Sequence, residues 1–194
     1  MKSNGFAWTV LALTTVVLSG CTGTRVAVSP SPDSLPGAVP QKFASVGVKA
    51  ITADKIYPPA GNLVPDFVQE IETSGLAKAV YYPVRPDDKV DAMLETKINV
   101  TMNPHMGPNM VKAVLTGFTL FVLEPVFWYH YSYALSGDVV VVKDGKRTSI
   151  GAQSDGTISM KWLSLSHAQS LEAESIKKAK QSLFRQLIQK LSQP

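Results

Sequence analysis

Cys21 is the only thiol in the chain, and it closes the tetrad Leu18-Ser19-Gly20-Cys21 behind a short apolar run, Phe6 to Val17. That run is roughly a dozen residues. This is the size of a signal-peptide core and well short of the ~20 needed to span a bilayer. Lys2 and the free amine supply the positive flank, and Ser19 and Gly20 are the small residues expected before a cut. A solitary thiol has no internal disulfide partner, and in an oxidising compartment it is open to oxidation unless it is blocked. The other groups able to do chemistry are dispersed. His105, His130 and His167 share no metal-ligand spacing with one another or with the cysteine. Asp87, Asp88 and Asp91 cluster before a strand but lack the distal glutamate and alternating ligands of a calcium loop. No Gly-x-Ser-x-Gly elbow and no Gly-rich phosphate loop occurs. The sequence therefore predicts no catalytic residue, no metal and no cofactor.

The tetrad resembles the lipobox of bacterial lipoproteins at all four positions. The resemblance covers about the first 21 residues and implies that the Cys21 sulfur receives a diacylglycerol, with cleavage before it and acylation of the new amine. Residues 1–20 would be removed. Thr22 takes the place where, in that family, an aspartate favours retention in the inner membrane. The resemblance thus implies the inner leaflet of the outer membrane, with the domain facing the periplasm.

Composition bounds the remainder. A chain of 194 residues with 45% hydrophobic content can bury the core of one domain without disulfides. The formal net charge is only +4, and basic residues gather on one C-terminal helix, which argues against a nucleic-acid partner. Residues 21–41 carry Pro30, Pro32, Pro36 and Pro40 with no periodic apolar face. They read as a lipidated cysteine followed by an extended tether.

From residue 42 to 194 the pattern is that of a single domain. Ala44, Val46, Val48 and Ala50 share one strand parity. Leu63, Val64, Phe67, Val68 and Ile71 form a helical stripe behind a cap at Asn62. Short and long strands are expected near 77–82, 90–102, 127–142 and 147–163, with Asp144-Gly145 as a hairpin turn. A capping box from Ser166 to Gln169 opens a last helix, whose stripe is Leu171, Ile176, Ala179, Leu183, Leu187, Ile188 and Leu191. The expected fold is α+β, with order β-α-β-β-β-β-α: a mostly antiparallel sheet and two helices on one face. This order resembles the N-terminal domain of TolB and the auxiliary lipoproteins of lipid ABC transporters. Those are non-catalytic envelope proteins used in assembly or transport.

One stretch does not fit a plain domain. The connection at about 103–126 is much longer than an ordinary hairpin loop and is the most apolar part of the chain after the leader. It is open to three readings: a core helix or hairpin extension, a protein or oligomer contact, or shallow insertion into the membrane that holds Cys21. The candidate contact residues are Val114, Leu115, Phe118, Leu120, Phe121, Leu123, Trp128 and Tyr129, with the aromatics suited to either kind of interface.

The functional expectation is a lipid-anchored, non-enzymatic envelope lipoprotein that binds a protein partner or lipid, with homo-oligomers among the partners to be considered. The alternative is a lipid-anchored hydrolase whose site is assembled from distant residues. Mass spectrometry of the Cys21→Ala chain should find no acyl mass, and an acylated variant would sink the lipobox reading.

Overall fold

The computed structural model describes residues 23–51, 63–103, 105–119, 123, 126–161, 164 and 168–193. Six strands form one sheet: β1 (Thr24–Ser29), β2 (Phe43–Ala50), β3 (Ala77–Tyr81), β4 (Ala92–Asn103), β5 (Tyr129–Lys143) and β6 (Lys146–Met160). The three α-helices among the described residues are α1 (Leu63–Ser74), α2 (Met106–Phe118) and α3 (Ala168–Ser192). The sheet order is β1-β6-β5-β4-β2-β3.

The fold is α+β, and its finer description departs from expectation in two ways. The sheet is mixed: β1, β6, β5 and β4 pair antiparallel, whereas β2 pairs parallel with both β3 and β4. A strand, a helix and a neighbouring strand make a crossover, and the crossover through α1 sets β3 parallel to β2. The second departure is a third helix, α2, within the long apolar connection. Gly107, Pro108 and Gly117 obscure it in the sequence, but Pro108 falls in the first turn, where backbone N–H groups have no helical partner to lose.

The proline-rich stretch is also not a free tether. Residues 24–29 form an edge strand in register with β6, from Thr24 opposite Met160 to Ser29 opposite Asp155. The run Thr24-Arg25-Val26-Ala27-Val28 has strand-forming residues, and the prolines begin only at Pro30. Beyond the strand the chain lies on α3. The Ser182 hydroxyl donates to the Pro30 carbonyl at 2.6 Å, Arg185 Nη1 donates to the Pro32 carbonyl at 2.8 Å, and Pro32 itself is buried. The expected cap at Asn62 and the capping box at Ser166 lie outside the described residues.

The core lies between the sheet and the pair α1 and α3. From α1 it takes Phe67 and Ile71, and from α3 it takes Ile176, Ala179, Leu183, Phe184, Leu187, Ile188 and Leu191. Phe67 and Phe184 meet with ring centroids 5.2 Å apart, which ties the helices together. Lys180 with Asp66 and Arg185 with Glu70 pair along the same seam. On β4 the side chains alternate between the two faces, with Ala92, Leu94, Thr96, Ile98 and Val100 buried. Asp144 and Gly145 both take positive φ, at 51° and 74°, and close the β5–β6 hairpin as their residue types predict.

A close approach in the centre of the sheet sets one sequence requirement. Tyr133 on β5 lies opposite Gly156 on β6, and its ring occupies the space where a side chain at 156 would project. A Cβ there would overlap Tyr133 Cζ. The Tyr133 hydroxyl bonds to the Ser175 hydroxyl of α3, and burial pushes the phenol up to about 12. Gly156→Ala must therefore displace a buried ring and its hydrogen bond. Urea denaturation should show a loss of about 1–3 kcal/mol or more, and a neutral result would contradict this packing.

Candidate functional site

Helix α2 stands at the end of the sheet where β4 finishes and β5 begins, and polar side chains hold it there. Asn109 Nδ2 donates to the His130 carbonyl at 2.7 Å, and the His130 N–H donates to Asn109 Oδ1 at 3.1 Å. One amide side chain thus satisfies both backbone groups of a strand residue. Lys112 Nζ donates to the Trp128 carbonyl at 2.7 Å, and the Thr116 hydroxyl lies 3.4 Å from the Tyr129 hydroxyl. Residues 109, 112 and 116 fall on one helical stripe, so the polar face of α2 is turned toward the protein. Asn109 is 8% exposed and Thr116 only 1%.

The apolar face is consequently turned outward. Phe118 is 84% exposed, Met106 75% and Met110 70%, with Val111, Val114 and Leu115 also exposed. This reverses the usual orientation of an amphipathic helix on a core. Val126, exposed as well, follows the helix. No acidic residue occurs in α2.

Of the candidate contact residues, Val114, Leu115 and Phe118 lie on this outer face, so the core-helix reading fails for α2. Leu123 is half-buried. Cys21, Leu120 and Phe121 lie outside the described residues. Tyr129 is a correction: it is 2% exposed and faces the core, because it starts β5 on the inward parity shared with Tyr133, Leu135 and Val139. Sequence reasoning missed Met106, Met110 and Val111. Met106, Met110, Val114 and Phe118 recur every four residues, and that spacing could have revealed the helix.

Trp128, half-buried, joins this surface to the start of β1. Arg25 Cζ lies 4.6 Å and Lys161 Nζ 4.7 Å from the ring centroid, both within cation–π range. Gly23 packs against the same ring. Its N–H donates to the Ser164 hydroxyl at 3.0 Å, its carbonyl accepts from the Lys161 N–H at 2.9 Å, and a Cβ on it would lie 3.3 Å from Trp128 Cη2.

Beside α2, on the outer face of the sheet, the fold gathers two histidines that the sequence left apart. His105 Nε2 lies 2.7 Å from the Ser132 hydroxyl, and His130 Nδ1 lies 2.8 Å from the Ser159 hydroxyl. Among the described residues no three His, Cys, Asp or Glu side chains converge as a metal site would need. A cleft of about 680 Å³ lies at the opposite end, by the β5–β6 turn. It carries Lys42, Lys143, Lys146 and Lys190, but three of these are already engaged. Lys42 bonds the Gln193 carbonyl, Lys143 bonds Asp91, and Lys190 bonds the Gly151 carbonyl. His167 lies outside the described residues.

No protein-family model matches the chain, and no curated protein matches it. Two similar solved structures are PelC dodecamers from Paraburkholderia phytofirmans. One, a point variant in space group C2, is 12% identical with a TM-score of 0.41, over 89% of this chain and 100% of that one. The other, in space group P6, is 12% identical with a TM-score of 0.39, over 89% and 99%. Similarity at this level carries nothing about function or assembly.

Two expectations follow from the anchoring of α2. Asn109→Ala strips both backbone partners from His130, at a cost of about 1–3 kcal/mol. Hydrogen exchange should show α2 amides losing protection while β5 and β6 keep theirs, and unchanged α2 protection would refute the clamp. His130 is held below the ordinary histidine value of 6.5 by burial first, then by repulsion from Lys112 and His105. The unfolded chain binds that proton more tightly. The contribution is therefore complete above about pH 6.5 and is lost as pH falls through the lowered value. An NMR titration that places His130 above its ordinary value would reverse this sign.

Proposed function

We propose that this chain is a lipid-anchored lipoprotein of the bacterial cell envelope. Cys21 carries the acyl chains, in the inner leaflet of the outer membrane, and the domain faces the periplasm. It acts by binding a protein partner or lipid in envelope assembly or transport, without catalysis. The lipobox tetrad supports the anchor. The observation that carries the binding role is the outward apolar face of α2, from Met106 to Phe118. A helix fastened by its polar stripe, with its apolar side chains free, is suited to covering by something else. No described helix is long and apolar enough to cross a membrane.

The test is Val114→Asp with Phe118→Asp in the acylated chain. Both positions are exposed, so the melting free energy should change by no more than about 0.5 kcal/mol. A photoreactive residue at Leu115 should crosslink to lipid or protein in the parent envelope and should lose that product in the double variant. Crosslinks unaffected by the two charges would count against the contact. A double variant that fails to fold would return the face to the core.

A further inference from the structure

Gly23, the first described residue, and the apolar helix lie at one end of the sheet. Thr24 opens β1 opposite Met160, and Met160 also lies opposite Tyr129, the first residue of β5. Helix α2 is tied to that same beginning of β5 through His130 and Trp128. Gly23 rests on the Trp128 ring. Two peptide units separate Gly23 from Cys21, a reach of no more than about 7 Å. With the proline-rich stretch folded onto α3, no long spacer remains between the acylated residue and the domain. Acyl chains on Cys21 therefore bring this end of the sheet to the headgroup layer.

The chemistry of this end suits that layer. Six apolar side chains of α2 face outward, and the helix carries no carboxylate to be repelled or desolvated. Its one charged residue, Lys112, turns inward to the Trp128 carbonyl. Beside it, the half-buried Trp128 carries the exposed Arg25 over its ring, which pairs an amphipathic aromatic with a cation able to meet phosphates, while Lys161 is buried against the same ring. Resting on the acylation of Cys21 proposed above, we infer that α2 lies flat in the surface of the membrane that holds the anchor. Its Met106–Phe118 face enters the upper acyl region, and the exposed Arg25 stands at the level of anionic phosphates. Shallow insertion of about 5–10 Å is what such a helix achieves. Because the anchor already confines the domain, even a weak second contact is intramolecular and is well populated. The domain is thereby held in one orientation, with the lysine-lined cleft by the β5–β6 turn at the end away from the membrane.

The test uses the full acylated chain in vesicles of phosphatidylethanolamine and phosphatidylglycerol. Acylation of Cys21 leaves an added cysteine as the only free thiol. Phe118→Cys, Val114→Cys and Lys146→Cys chains are each labelled with an environment-sensitive fluorophore. Probes at 118 and 114 should be shielded from aqueous iodide. Nitroxides near the glycerol end of the lipid tails should quench them several-fold more strongly than nitroxides near the tail terminus. The probe at 146, on the far hairpin, should be open to iodide and unquenched by lipid. Arg25→Glu should at least halve the lipid quenching at 118 in vesicles rich in phosphatidylglycerol. Free access of iodide to 118 and 114 would overturn the inference. Shielding without lipid quenching would also overturn it, by placing a protein, such as a second copy, on the face; the contact role proposed above would survive. A chain whose mass shows no acyl group before reconstitution would overturn both readings together.

Discussion

Burial of one stripe of α3 across β5, β6 and β1 is the contact on which the other elements depend. The stripe brings Leu183 and Leu187 down onto Gly137, where an added Cβ would sit 3.0 Å from Leu187 Cδ1. Ser175 comes down onto the Tyr133 hydroxyl. Such close approach is possible because β5 and β6 present glycines where helix and ring descend. The same helix then fixes its neighbours. Phe184 meets Phe67 and so positions α1, while Ser182 and Arg185 hold the chain that leaves β1. Each fully buried leucine or isoleucine in this stripe is worth about 1.5–3 kcal/mol of transfer free energy. With a single cysteine in the chain, this burial is what holds the domain together.

Much of this arrangement was legible in the residues. Alternation over β4 and the stripe of α3 are strong periodic signals, and the Asp144-Gly145 turn has a mechanism in its positive φ. The parallel placement of β2 was not legible. Local pattern says that a segment is a strand but not beside which strand it lies, and Val46 pairs with Ala92 on one side and Val80 on the other. β1 was hidden by the prolines that follow it. Composition over 22–41 averages a strand-forming half with a proline-rich half, and the average describes neither. The strand exists because β6 pairs along its whole length with β5 on one side and presents its other edge, which Thr24–Ser29 covers from Met160 to Asp155.

The candidate surface was legible in composition and illegible in direction. An amphipathic pattern shows that two faces differ, without showing which one meets the protein. Ordinarily the apolar face turns inward. In α2 three polar groups, Asn109, Lys112 and Thr116, find backbone or hydroxyl partners at the mouth of β5, and that decides the orientation. Tyr129 illustrates the converse. Its aromatic character suggested an interface, but strand parity sends it inward, while its neighbour Trp128, just before the strand, stays near the surface beside Arg25.

The pairing of β1 with β6 has a mechanical consequence. In a chain acylated at Cys21, any pull between membrane and domain enters through the first residues of β1. The hydrogen bonds of an antiparallel pair lie across the strands. A tug along β1 therefore loads its whole ladder at once instead of peeling one bond at a time. Past the strand, the load passes to Ser182 and Arg185 on α3, the helix that organises the core. In a chain so acylated, the anchor and the domain interior form one continuous load path, and the β1 ladder and α3 bear the pull together.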